Sequence, residues 1–227
     1  MESATQYQRQ VGLSAILSAL FALGSMVIGA IAVEFHLEAF SAPASILQFA
    51  RQHEYAKWFL YTDMLGYYLL LLPLAFYLHG YLQARTPWAG LLTFCGLAYI
   101  LIGAIGAAVL AAVWPQQMQQ YLTADATQQA VLQREAENIT WIVYGGLWNV
   151  LEVLLAGAWW LSAGRMLRHE HKALATVTQV LGIASILDGL GNMFGLGTVA
   201  ELGLNLYLIL AIGWAAWAGV LVYRGKI

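Results

Sequence analysis

Three carboxylates, Asp63, Glu152 and Asp188, stand inside long apolar stretches of this 227-residue chain, and no Lys or Arg falls within the same stretches to neutralise them. A carboxylate in low dielectric takes a proton, binds a cation or sits against water. Such positions are costly, so each acid is a functional hypothesis.

Helical spacing gathers polar groups around these acids. Asp63 and Tyr67 are one turn apart, as are Glu201 and Asn205. Trp141, Tyr144, Gly145, Trp148, Asn149 and Glu152 fall at i, i+3, i+4, i+7, i+8 and i+11, one stripe of a 3.6-residue helix. Ser185, Asp188, Gly191 and Asn192 do the same further on. The candidate ligand-binding set is therefore Asp63, Tyr67, Trp148, Asn149, Glu152, Asp188, Asn192, Glu201 and Asn205. If these faces converge they wall a polar pocket with aromatics and acids, suited to a small cationic or amphipathic molecule. The plain structural alternative keeps Asp63, Glu152 and Asp188 neutral, hydrogen-bonded to Asn149, Asn192 and Tyr67, and locking helices together.

Other chemistries find less support. A transmembrane haem needs two histidines at membrane depth, but His36, His53, His169 and His171 read as loop residues and His79 lies at the end of an apolar stretch. The same shortage argues against an intramembrane zinc hydrolase, and no Ser or Cys has a helix-borne His beside it. Cys95 has no partner for an intrachain disulfide. No basic patch, glycine-rich phosphate loop or paired-cysteine motif points to nucleic acid, nucleotide or metal. No cofactor is expected. Acid/base chemistry by Asp63 and Asp188 on a lipid or prenyl group leaves an enzyme open.

The elements that must position these residues follow from composition. Hydrophobic residues make up 61% of the chain and charged residues 10%, against about 25% charged in an average soluble domain. Six apolar blocks reach the roughly 20 residues that cross a hydrocarbon core. They run about Gly12 to Val33, Trp58 to Gly80, Ala89 to Val113, Ile139 to Ala163, Leu174 to Leu196 and Val199 to Tyr223. The first is too long, and lacks the preceding basic cluster, for a cleavable signal peptide. The expected fold is all-α: a single polytopic membrane domain of six transmembrane helices, with short outer-surface helices in the first and third loops.

Arg9, Arg85, Arg165, Arg168, Lys172, Arg224 and Lys226 fall on one side of this plan, and Arg51, Lys57 and Arg134 on the other. Seven against three places both termini in the cytoplasm of a plasma-membrane protein. At about 1.5 Å per residue, Asp63 and Asp188 then share a level roughly 8 to 10 Å below the outer surface, and Glu152 lies roughly 20 Å below it.

In the first outer loop, Ser41 and Pro43 read as a helix start, with Ile46, Phe49, Ala50 and His53 as one apolar stripe lying on the membrane surface or over the bundle mouth. Thr123 to Glu137 is helix-forming but polar and reads as a solvated cap. Ser14, Ser18 and Ala22, then Gly103, Ala107 and Ala111, then Ala211, Ala215 and Gly219 form small-residue rows that let helices approach closely. Pro73 predicts a kink in the second span. Trp58, Trp88, Trp114, Trp159 and Trp160 fall near span ends and read as interfacial anchors.

Two families resemble this layout. The six-span plan, the Arg9-Gln10-Val11-Gly12 opening, the Arg165 to Lys172 hinge and the Tyr223-Arg224-Gly225 ending look like a bacterial membrane family catalogued as a domain of unknown function. Members often carry Arg and Glu in the third span, whereas this chain has neither between Ala89 and Val113. The chain also resembles the substrate-binding subunits of energy-coupling-factor vitamin transporters, where an Ala-x-x-x-Ala pattern in the first span docks a partner. Ala15 and Ala19 stand in that relation here.

Three function classes follow: a protein that binds or transports a small cationic or amphipathic molecule in an outward-facing acidic and aromatic pocket, an accessory subunit of a larger membrane complex, and an intramembrane lipid-modifying enzyme. The expected partners are membrane lipids, a small-molecule or cation ligand and further membrane subunits, with no nucleic acid. The first class needs the acids to converge. The second predicts a long apolar helix face, expected on the small-residue side of the third or sixth span, that another subunit buries, and the third predicts a gap through which a lipid chain reaches the acids.

Overall fold

In lipid every backbone N–H and C=O must be satisfied within the chain, which leaves long apolar segments only the helix. The computed structural model describes residues 2–41 and 45–227, and its elements are helices joined by short turns, with no strand among the described residues. Among the described residues, six helices are long and apolar enough to cross a membrane.

The first span is α1 (Glu2–Ala32). Two 3₁₀ helices, Leu37–Ser41 and Ser45–Gln52, lead into α2 (His53–Asp63). The second span then departs from α geometry, passing through a π-helical stretch, Met64–Tyr68, and a 3₁₀ turn, Leu69–Leu71, before α3 (Leu72–Gln83). The third is α4 (Ala89–Thr123). The fourth joins α5 (Ala126–Thr140), a π-helical stretch Trp141–Glu152, and α6 (Val153–Leu167). The last two are α7 (Lys172–Met193) and α8 (Gly197–Tyr223).

Each span packs on its neighbours in sequence and α8 packs back on α1, so the six close into a ring. Small residues seat these contacts as expected for α1 and α8. A Cβ on Gly12 would lie 2.6 Å from the Gly219 carbonyl oxygen, and one on Gly66 would lie 2.2 Å from the Ala22 nitrogen. The row on α4 does something else. A Cβ on Gly103 would fall 1.9 Å from the Tyr68 ring, and one on Gly106 would fall 2.3 Å from the Trp148 indole nitrogen. These glycines make room for aromatic rings rather than for another backbone. Apart from half-buried Ser14 the three rows are buried within the chain, those of the third and sixth spans included. Ala15 and Ala19 are buried with them.

The end that carries both long loops has its own apolar core, built from Ile46, Leu47, Ala50, Trp114, Met118, Leu132, Ala136 and Val143. The helix of the first loop therefore sits over the bundle mouth, with its start at Pro43 outside the described residues. The helix-forming polar segment expected as a solvated cap is α5, which is mostly exposed, continues directly into the fourth span and buries Leu132 and Ala136. Asp125 begins it, accepting from the Thr127 and Gln128 amides at 2.9 Å each. The third loop thus carries a helix as expected, α5, which packs against α4.

Tryptophan placement also departs from expectation. Trp58 and Trp88 are exposed as anchors should be, but Trp114, Trp159 and Trp160 are buried. Proximity to a span end did not decide which face each ring takes. At the opposite end the C-terminus is tied down by the Tyr77 hydroxyl, which donates to the Ile227 carbonyl at 2.5 Å, and Arg85 bridges to Glu170 across two loops. The hydrogen bond from Arg85 holds the Glu170 carboxyl below its usual range.

Candidate functional site

Pro73 sets up the site. It has no N–H to continue the α pattern, so the chain before it tightens, and the Leu72 amide bonds the Leu69 carbonyl. The preceding π stretch turns Gly66, Tyr67 and Tyr68 all into the interior. Interrupted helices expose carbonyls that lipid cannot satisfy, and here hydroxyls from other spans do so. Ser18 donates to Gly66, Tyr99 to Tyr67 at 2.8 Å and Ser14 to Leu70 at 2.7 Å. The kink expected at Pro73 is therefore a stitched, non-α segment whose purpose is to present two adjacent tyrosines.

Glu152, the last residue of the second π stretch, meets them. Its Oε2 accepts from the Tyr68 hydroxyl at 3.1 Å, and its Oε1 accepts from the Tyr207 hydroxyl of α8 at 3.2 Å. Three spans thus converge on one carboxyl group that is 1% exposed. Aromatic rings pack around it: Tyr68 on Tyr99 at 6.0 Å between centroids, Tyr99 on Trp160 at 5.1 Å, and Trp160 on Tyr207 at 5.6 Å. Tyr67 joins through its ring, 6.4 Å from Tyr207, while its hydroxyl donates to the Leu208 carbonyl at 3.2 Å.

Asp63 and Asp188 flank this centre within electrostatic reach of Glu152. Ser25 of α1 lies beside Asp63. Asp188 Oδ1 accepts from the Asn192 side chain at 2.7 Å. The second oxygen of each, Oδ2, is buried without a hydrogen-bond partner. None of the three acids is in an ion pair among the described residues.

The expected set is thus divided. Asp63, Tyr67, Glu152 and Asp188 come together, with Asn192 reaching Asp188 from an exposed position. Glu201 and Asn205 are exposed and lie outside the cluster, Asn205 donating to the Glu201 carbonyl at 2.9 Å. Their one-turn spacing is real, but it marks the outer face of α8, since Gly203 and Tyr207 take the inner one. Trp148 donates to the Gly103 carbonyl at 3.1 Å and packs on Tyr144, forming a wall nearer the long loops. Asn149 is half-buried, and its expected place on Glu152 is held by phenols. Trp141 is 58% exposed while Val143 is buried, because a π-helix takes more residues per turn than the 3.6 on which the stripe was drawn.

The sequence did not point to Tyr68, Tyr99, Tyr207 or Ser25, and it put Trp160 among the interfacial anchors. The available signal was a phenol or hydroxyl in mid-span, which must find a partner when buried. The cluster is closed. Two surface concavities, one between Arg9 and Arg224 and one beside Tyr7 and Tyr77, border none of its acids.

No family model matches the chain, and neither a curated protein nor a solved structure does.

Proposed function

We propose that the protein binds, and moves across or within the membrane, a small cationic or amphipathic molecule at the cluster of Glu152, Asp63 and Asp188. The observation that carries this reading is Glu152 itself: a carboxyl buried at membrane depth, held by hydroxyls from two other spans and ringed by aromatic faces, with no ion pair among the described residues. Aromatic rings attract cations by their quadrupole and accommodate apolar groups equally well, and a carboxylate adds charge. A site needed only to fasten helices gains little from three acids, because buried acids without bases are a poor substitute for apolar packing.

The protein is read as a multi-pass protein of a bacterial plasma membrane with both termini cytoplasmic, supported by the seven-to-three bias of basic residues. The long loops then face outward, and the ligand enters from their side as the cap over Trp114 and Tyr144 parts.

Equilibrium dialysis of tetraphenylphosphonium, a permanent amphipathic cation, against detergent-solubilised protein tests this. The parent should bind it saturably. Glu152→Gln and Asp188→Asn, which keep shape, should each weaken binding at least about tenfold, equivalent to about 1.4 kcal/mol, while remaining folded. Unchanged binding in both variants, or none in the parent, would remove the reading.

A further inference from the structure

Glu152 is enclosed by titratable side chains of one kind or another from every wall that supplies any. Asp63 lies on α2, Tyr68 on the π stretch that follows, Tyr99 on α4, Asp188 on α7 and Tyr207 on α8, with Tyr67 packed on Tyr207 and Tyr144 set nearer the long loops. All are acids or phenols, and no Lys, Arg or His joins them in an ion pair among the described residues. A second observation stands apart from Glu152 and its phenols. Asp63 is 8% exposed and Asp188 is 0% exposed, yet Oδ2 of each lacks any hydrogen-bond partner. Three carboxylates in low dielectric cannot all stay ionised without a counter-charge. Side chains close around Glu152, so the cation that enters this packing without displacing anything is a proton.

We propose that the cluster exchanges protons for its cationic ligand, so that the closed state holds a proton at Glu152 and ligand binding releases it. This rests on the ligand-binding reading of the same site. The step balances simply: the O–H bond of one carboxylic acid breaks, the proton leaves to solvent, and a monovalent cation takes its place against the carboxylate. No electron moves. Loss of the proton leaves both phenol bonds to Glu152 in place, since a carboxylate accepts from Tyr68 and Tyr207 as an acid's oxygens do. Deprotonation alone therefore leaves the cage standing, and it is the arriving cation that displaces the side chains closed around the carboxylate.

Isothermal titration of tetraphenylphosphonium into the purified protein, repeated in buffers of differing ionisation enthalpy, reads affinity and proton release together. By linkage, affinity should rise by up to about tenfold per pH unit wherever the free protein is protonated, with about one proton released per probe bound. Glu152→Gln should lose both the slope and the release. Should that variant not fold, Tyr68→Phe keeps the acid, and it should move the pH at which the slope ends. Binding that is equally tight across the pH range, with no proton released, overturns the exchange and leaves the binding reading intact. Release that persists undiminished in Glu152→Gln also overturns it. Absence of binding at every pH overturns both.

Discussion

Glu152 owes its position to two hydroxyls, and each is separately removable. Tyr207→Phe deletes the donor to Oε1 while keeping the ring against Trp160. A buried acceptor left without its partner costs about 1 to 3 kcal/mol. Thermal unfolding in detergent should therefore fall for Tyr207→Phe, and it should fall less in the Glu152→Gln background, where the two groups no longer act together. Equal losses in both backgrounds would mean that the hydroxyl does not serve Glu152. The acids themselves were legible in sequence because charge inside an apolar block stands out. The phenols around them were not, since Tyr68, Tyr99 and Tyr207 lie on three different spans and nothing in one chain's periodicity says that three tyrosines meet.

At the scale of elements, the two π stretches decide which side chains face the interior. Both end at the cluster, one delivering Tyr67 and Tyr68 and the other Glu152. α4 accommodates them with glycines, so Gly103→Ala should be poorly tolerated. Its Cβ would sit 1.9 Å from the Tyr68 ring, and overpacking of a dense interior costs about 1 to 3 kcal/mol. Gly90→Ala on the same helix meets nothing within 4 Å and should be neutral or slightly stabilising. Comparable melting temperatures for the two variants would contradict the packing described. Sequence spacing at 3.6 residues located the fourth span and its aromatic richness, but it misjudged the stripe. Trp141 turned outward and Val143 inward because the backbone there is wider than an α-helix, a property set by tertiary contacts such as Trp148 on the Gly103 carbonyl. Pro73, by contrast, announces its own irregularity locally, and the break before it was readable.

Over the whole molecule, six spans close into a ring and the long-loop end carries a separate apolar core as a lid. The span count followed directly from hydropathy. The lid did not, because Leu132 and Ala136 are two apolar positions in a polar segment, and their burial depends on Trp114 and Met118 of α4 coming alongside. Deleting Thr123–Gln133 removes the Asp125 cap and Leu132 together. It should leave the spans inserted, lower the melting temperature modestly, and accelerate ligand exchange by opening the mouth. Unchanged stability and exchange would show that this segment is a solvated excursion after all.

The ligand reading is exposed most directly by native mass spectrometry of protein extracted gently from its own membrane, comparing the parent with Glu152→Gln. The parent should carry a bound small molecule, cationic or amphipathic, that the variant lacks, with both recovered as folded protein. A parent that carries no such molecule, one whose adduct persists equally in Glu152→Gln, or one recovered only with a partner subunit and no ligand, would contradict the proposed role of the cluster.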